Sequence, residues 1–273
     1  MSRRDRVKMK QKKKPKKKKI EIKDLPRPER IRLAKAKMKK VIDHFLYVIE
    51  LHANNSFVVF SPVLASQIPN SYAANAFNVF QRSMYQIEIV RLCAIWDGID
   101  LDKENIPTVV ELIDDGEIIE VLAEETRSPW VGGTSGRLLN PSNDPGIAAI
   151  EQETLEAANV QFADEQASKA RTELRQAIED VRAVLSSPRL ASIMNMRDKH
   201  LAHSLETTRR EKDGPVQPMK YGDETKLLNA SIPIVERLYC WVNGTSFSIE
   251  NSQEIDQDNA EALWTGCKFV DLR

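Results

Sequence analysis

The chain has 273 residues, 41% of them hydrophobic and 29% charged, and its formal net charge is zero. That is enough chain for one large domain with a real core, or for two small ones, and too many charges for a membrane protein. No run of about 18 apolar residues is present, and no apolar stretch follows the basic N-terminus, so neither a transmembrane helix nor a secretory signal is expected.

The zero charge hides a division. Residues 1–40 carry 20 basic and 4 acidic side chains, against 20 and 36 in residues 41–273. A basic arm on an acidic body is the expected organisation. The arm holds Lys12, Lys13, Lys14, Lys16, Lys17, Lys18 and Lys19. Like charges repel there and nothing apolar supports order, so residues 1–27 read as a disordered tail. Such a tail attracts nucleic acid by releasing counterions; it can equally serve solubility alone.

The elements follow in chain order. Pro26 and Pro28 precede a helix over 29–52, with Ile31, Ala34, Met38, Val41, Ile42, Phe45, Val48 and Ile49 on one face and Asn54-Asn55 as its stop. Ser61-Pro62 opens a short helix to Gln67, and a longer one runs from Ser71 to Asp97, ended by Gly98. Two short helices, 107–113 and 117–125, flank Asp114-Asp115-Gly116, which reads as a turn. Residues 127–145, rich in Gly, Pro and Ser, form a long loop. A charged helix spans 147–185, in one piece or two. Ser187-Pro188 starts a helix to Ser204, residues 206–222 are a loop, and Asp223 caps a helix to Asn243. A last short helix covers 259–267. No strand alternation, internal repeat or Gly-rich phosphate loop is visible, so the fold class is all-α, a bundle of long antiparallel helices over 28–244 with a C-terminal extension over 245–273.

Cys93, Cys240 and Cys267 are odd in number and far apart. No pair has metal-ligand spacing, which suits free thiols in a reducing, cytoplasmic setting and predicts neither a metal nor another cofactor. His44 and His52 read as ordinary helix residues, since no acid at ligand spacing joins them. Arg91 and Asp97 read as a contact within the bundle or as a further basic group near a cleft. Trp130 in the long loop could stack on a base or pack on the body.

Two of the four histidines lie within Arg197-Asp198-Lys199-His200-Leu201-Ala202-His203-Ser204. On a helix advancing about 100° per residue, Arg197 falls inside the apolar stripe of Leu190, Ile193, Met194, Leu201 and Leu205. His200 and His203 line one edge of it, and the Ser204 hydroxyl lies near the arginine. A guanidinium there needs an anion, either Asp198 and other internal acids or an external phosphate. Arginine and histidine together suffice for metal-free RNA cleavage. Arg197 would hold the scissile phosphate, and His203 would move the proton of the 2′-OH or of the leaving 5′ oxygen. Spacing alone favours a structural helix with one buried ion pair and two partly exposed histidines.

Arg-Asp-Lys-His-Leu-Ala-His resembles the signature of HEPN domains: an arginine, a polar residue directly after it, and a histidine four to six residues on. The stretch Tyr85–Asp97, with Arg91-Leu92 and a closing aspartate, is similar to the second long helix of the AbiU-type abortive-infection branch, and the resemblance reaches from about residue 28 to 244. It implies a helical bundle and a homodimer whose two Arg–His motifs face one cleft. The implied activity is that of a metal-independent ribonuclease of anti-phage defence or of a toxin–antitoxin pair, with RNA as substrate and an antitoxin or other defence protein as partner. Some members are non-catalytic scaffolds. Arg197, Asp198 and His203 match the motif; His200 is an additional histidine within it, and Lys199 and Ser204 would line the RNA. Leu205 stands where antitoxin-modified relatives carry a tyrosine, which speaks against silencing by that route.

Overall fold

Helix α1, Arg27–Val58, organises the bundle. The computed structural model describes residues 21–68, 72–131 and 141–269. Ala34, Met38, Val41, Phe45 and Val48 are fully buried at steps of three and four, so one face of α1 enters the core. The helix does not stop at Asn54-Asn55. Asn55 is itself buried; its amide donates to Glu88 and to the Met84 carbonyl, so tertiary hydrogen bonds favour continuation. Arg30 ties the other end of α1 to the chain ahead of Asp115, donating to the Leu112 carbonyl at 3.0 Å and to the Glu111 carbonyl at 3.1 Å.

Around α1 stand α2 (Pro62–Gln67), α3 (Tyr72–Ile95), α4 (Ile106–Ile113) and α5 (Gly116–Arg127). Ser61, Asn105 and Asp115 cap α2, α4 and α5 through their side-chain oxygens. Asp115 is therefore more than a turn residue: it accepts from the amides of Glu117 and Ile118 and pairs with Arg27 and Arg30. Asp114 pairs instead with Arg182.

Helix α6, Pro145–Leu185, is one unbroken helix. Only its second half is buried, through Ala163, Ala167, Ala170, Leu174, Ala177, Ile178 and Val181. The alanines let it lie closely along α5, and Arg127–Asp164 and Arg171–Glu120 pairs line the seam at 2.7 and 2.6 Å. In the stretch expected to be a loop, residues 128–130 form a 3-10 turn, and Trp130 packs edge-on against Phe162 of α6. Residues 132–140 and the lysine run at 12–19 lie outside the described residues.

Helix α7, Pro188–Met196, leads into the candidate site, and α8, Arg209–Asp213, follows it. Helix α9, Asp223–Asn243, ends at Gly244, whose φ of 67° is the left-handed conformation that glycine accepts readily. It is tied to α3 by Trp96, which donates its indole N–H to Ser231 at 2.9 Å in the core. Helix α10 spans Ile249–Gly266, well beyond the short helix expected. Its first half, Glu250 to Asp258, is almost wholly polar and shows little apolar periodicity. The helix is held on α1 by buried Ile249 and Ala260 and by a 2.8 Å bond from Trp264 to Asn54. Among the described residues there is no strand, and no helix is long and apolar enough to cross a membrane.

Candidate functional site

Ser187 caps α7 through the amide of Leu190, and Pro188 occupies its first turn. Leu190, Ile193 and Met194 are buried, which seats the helix against α3 and α9. From Arg197 the winding widens. Arg197–Leu201 is a π turn in which the Ala202 amide reaches back to the Arg197 carbonyl at 2.8 Å. The Leu205 amide then closes on the Lys199 carbonyl at 3.1 Å. The expected regular helix to Ser204 is thus replaced by a wider turn and an unwound end. The projection at 100° per residue does not hold past Met196, and Leu205 is exposed instead of joining an apolar stripe.

Arg197 is half-buried, with 17% of its side chain exposed, so its place beside the core agrees with the sequence. Its Nε and Nη2 both donate to Oδ1 of Asp198, at 2.8 and 2.6 Å. Its Nη1 lies 3.8 Å from Asp97 at the end of α3. Burial works against the guanidinium charge, but the hydrogen bond to Asp198 and the charges around it more than reverse this and raise its pKa. Asp97 is also taken by Lys103 at 2.9 Å. Burial would raise its pKa, yet Lys103, the Gly98 amide and Arg197 together hold the carboxylate below its ordinary value. Arg91 and Asp97 therefore do not pair with each other. The Arg91 guanidinium lies 5.4 Å over the Tyr47 ring.

Lys199 points away from this pair and bonds Glu211 of α8 at 2.9 Å. Glu211 also accepts from Asn195 at 3.0 Å and from the Thr208 amide at 2.9 Å. The Thr208 hydroxyl returns to Asn195 and caps the Glu211 amide. Three donors onto one carboxylate, first among them Lys199, lower the Glu211 pKa to about 2. The network sets Arg210 beside Asp198, its Nε 3.8 Å from Oδ2.

His200, His203 and Ser204 are exposed, with no hydrogen-bond or ion-pair partner among the described residues. Beside the π turn, Leu201 joins Tyr47, Ile87, Val90, Arg91 and Ala94 in an open groove of about 530 Å³. Cys93, buried close to Arg197, is pushed up to about 12 by burial, so it keeps its proton and behaves as a small apolar side chain. His52 is not an isolated helix residue: its Nδ1 lies 2.7 Å from buried Glu88. Among the described residues no three or more His, Cys, Asp or Glu side chains are grouped to hold a metal ion.

Lys103, Asn195, Thr208, Arg210 and Glu211 join the site although their positions in the sequence do not point to it. One signal was present: Thr208-Arg209-Arg210-Glu211 is a capping box, which announces a helix start inside what reads by composition as a loop.

The family model for AbiU2 HEPN proteins matches residues 34–263. The chain belongs to this family, a group tied to abortive-infection defence. No curated protein and no solved structure matches it.

Proposed function

We propose that this protein is a metal-independent endoribonuclease of a defence or toxin system, with Arg197 and His203 as its catalytic residues. The observation that carries this reading is the half-buried Arg197 guanidinium, held at a π turn with two exposed imidazoles within six residues of it. π turns of this kind recur at functional sites. Arg197 binds the scissile phosphate and offsets the charge that builds on it. The His203 imidazole takes the proton from the 2′-OH, the 2′ oxygen attacks phosphorus, and the 5′ oxygen leaves with a proton from a second acid. The products are a 2′,3′-cyclic phosphate and a 5′-hydroxyl. His200 is the nearest further imidazole in the chain for that second acid, and His203 of a second copy is the alternative in a dimer. Lys199 and Ser204 border the RNA path, and the lysines at 12–14 and 16–19 add non-specific attraction to it.

A homodimer fits the exposed Tyr47, Ile87 and Val90 in the groove beside Leu201, a surface that a second copy would cover while bringing two motifs together. An antitoxin or other defence protein is the further partner this reading carries, and the cytoplasm its setting. One observation favours the alternative of a non-catalytic scaffold: Arg197 already satisfies Asp198 and faces Asp97, as a structural arginine would. Cleavage of labelled RNA in EDTA separates the two. The nuclease reading requires cleavage that is lost in Arg197→Ala and in His203→Ala, and cleavage that survives both substitutions contradicts it.

A further inference from the structure

Asp198 stands between two guanidiniums, Arg197 on Oδ1 and Arg210 facing Oδ2. The two are not equivalent. Arg197 is 17% exposed, and two of its five N–H donors are engaged by Asp198. Arg210 is 42% exposed, and its one ion pair among the described residues is with Asp198 at 3.8 Å, beyond hydrogen-bond length. Among the described residues its side chain makes no hydrogen bond, so its donors are not engaged by the protein.

The place of Arg210 is set by groups other than itself. Helix α8 has five residues, too few to persist alone. Thr208 and Glu211 cap it reciprocally, and Asn195 and Lys199 anchor Glu211 to α7 and the π turn. A five-residue segment is thereby fixed to the very stretch that carries Arg197. Arg209, its neighbour on α8, is exposed and has no hydrogen-bond or ion-pair partner among the described residues.

Charge points the same way. Arg197, Arg210 and Asp198 together leave one positive charge, so the surroundings of Arg210 attract phosphate. A guanidinium with an open fork is suited to bidentate phosphate binding, whereas Arg197 must first give up part of its bond to Asp198. We propose that Arg210 is a second phosphate-binding residue of this site, engaging an RNA phosphate neighbouring the one that Arg197 holds. The inference rests on the RNA-binding reading of the Arg197 site, and it does not require that cleavage occur.

The test is fluorescence-anisotropy binding of the full chain to a labelled single-stranded 2′-O-methyl RNA, which cannot form a cyclic phosphate, across a salt series. Arg210→Ala weakens binding about tenfold at low salt, the loss of one charge-assisted contact. It also lowers the slope of log K against log salt by about 0.7, one phosphate on a single strand. Arg210→Lys keeps that slope while losing affinity, a result that mere loss of folding does not give. Arg209→Ala, the control of equal charge on the same helix, changes binding less than about twofold. Equal effects of Arg210→Ala and Arg209→Ala, or no binding by the unaltered protein, overturn the proposal. Arg210-dependent binding without cleavage of ordinary RNA leaves the proposal standing and removes the nuclease reading alone.

Discussion

Asp198 receives both Nε and Nη2 of the adjacent Arg197 on a single oxygen, at 2.8 and 2.6 Å. A carboxylate in that position occupies the edge of the guanidinium that a phosphate would use. Asp198 therefore orients Arg197 and competes with the substrate for it. Asp198→Asn removes the competing charge at nearly constant shape. RNA binding is expected to tighten about fivefold, near the upper end for a partly exposed ion pair, while cleavage falls because Arg197 is no longer aimed. Binding isotherms and cleavage rates on one preparation check this, and weaker binding by the variant contradicts it.

Arg197→Ala separates chemistry from folding. Cleavage is expected to drop about 10²- to 10³-fold, the cost of removing one preorganised donor from a developing oxyanion. Stability changes by only roughly 1 kcal/mol, because Asp198 keeps Arg210 and Asp97 keeps Lys103. Urea denaturation beside the cleavage assay reads both. Loss of folding in the variant would instead make Arg197 a structural residue.

The attachment of α8 is expected to depend on acid. Glu211 has its pKa lowered from 4.5 to about 2 in the folded protein, so between those values the unfolded chain binds more protons than the folded one. The stabilisation is complete above about pH 4.5 and is lost as the pH falls toward 2. Amide exchange in residues 208–213 followed from pH 5 to pH 3 should show α8 loosening ahead of the core, and Glu211→Gln should loosen it already at neutral pH and remove the dependence. Exchange in α8 that tracks global unfolding at every pH would contradict this.

A fully buried carboxylate serves the fold. Glu88 is fully buried, accepts from the Asn55 amide and lies 2.7 Å from His52 Nδ1, joining α3 to the far part of α1. Glu88→Ala removes the carboxylate partner of His52 and leaves the buried Asn55 amide only its long bond to the Met84 carbonyl, and a loss of about 1–3 kcal/mol is expected. Chemical denaturation measures it. An unchanged midpoint would mean that water or a rearranged Asn55 satisfies both groups.

The bundle is readable in the sequence because its signals are local. The three- and four-residue steps of Ala34, Met38, Val41, Phe45 and Val48 and the caps at Ser61 and Ser187 depend on neighbouring residues only. The departures arise from contacts between distant segments. Asn54-Asn55 fails to stop α1 because Glu88, 33 residues away, takes the Asn55 amide. The polar first half of α10 folds as helix because Ile249 and Trp264 fasten its two ends to the body. At the site, Arg197 beside Asp198 is visible from adjacency, but Asp97, Lys103 and Arg210 arrive through chain reversals that no periodicity records. The π turn was equally hidden, since nothing in Arg197-Asp198-Lys199-His200-Leu201 distinguishes it from an α-helical turn.

The most direct test of the central claim is incubation of labelled RNA with the unaltered protein and with His203→Ala, in EDTA, with analysis of the product ends. Cleavage by the unaltered protein alone, leaving a 2′,3′-cyclic phosphate, is the expected result. Equal cleavage by both proteins, or cleavage that stops when EDTA is added, would contradict it.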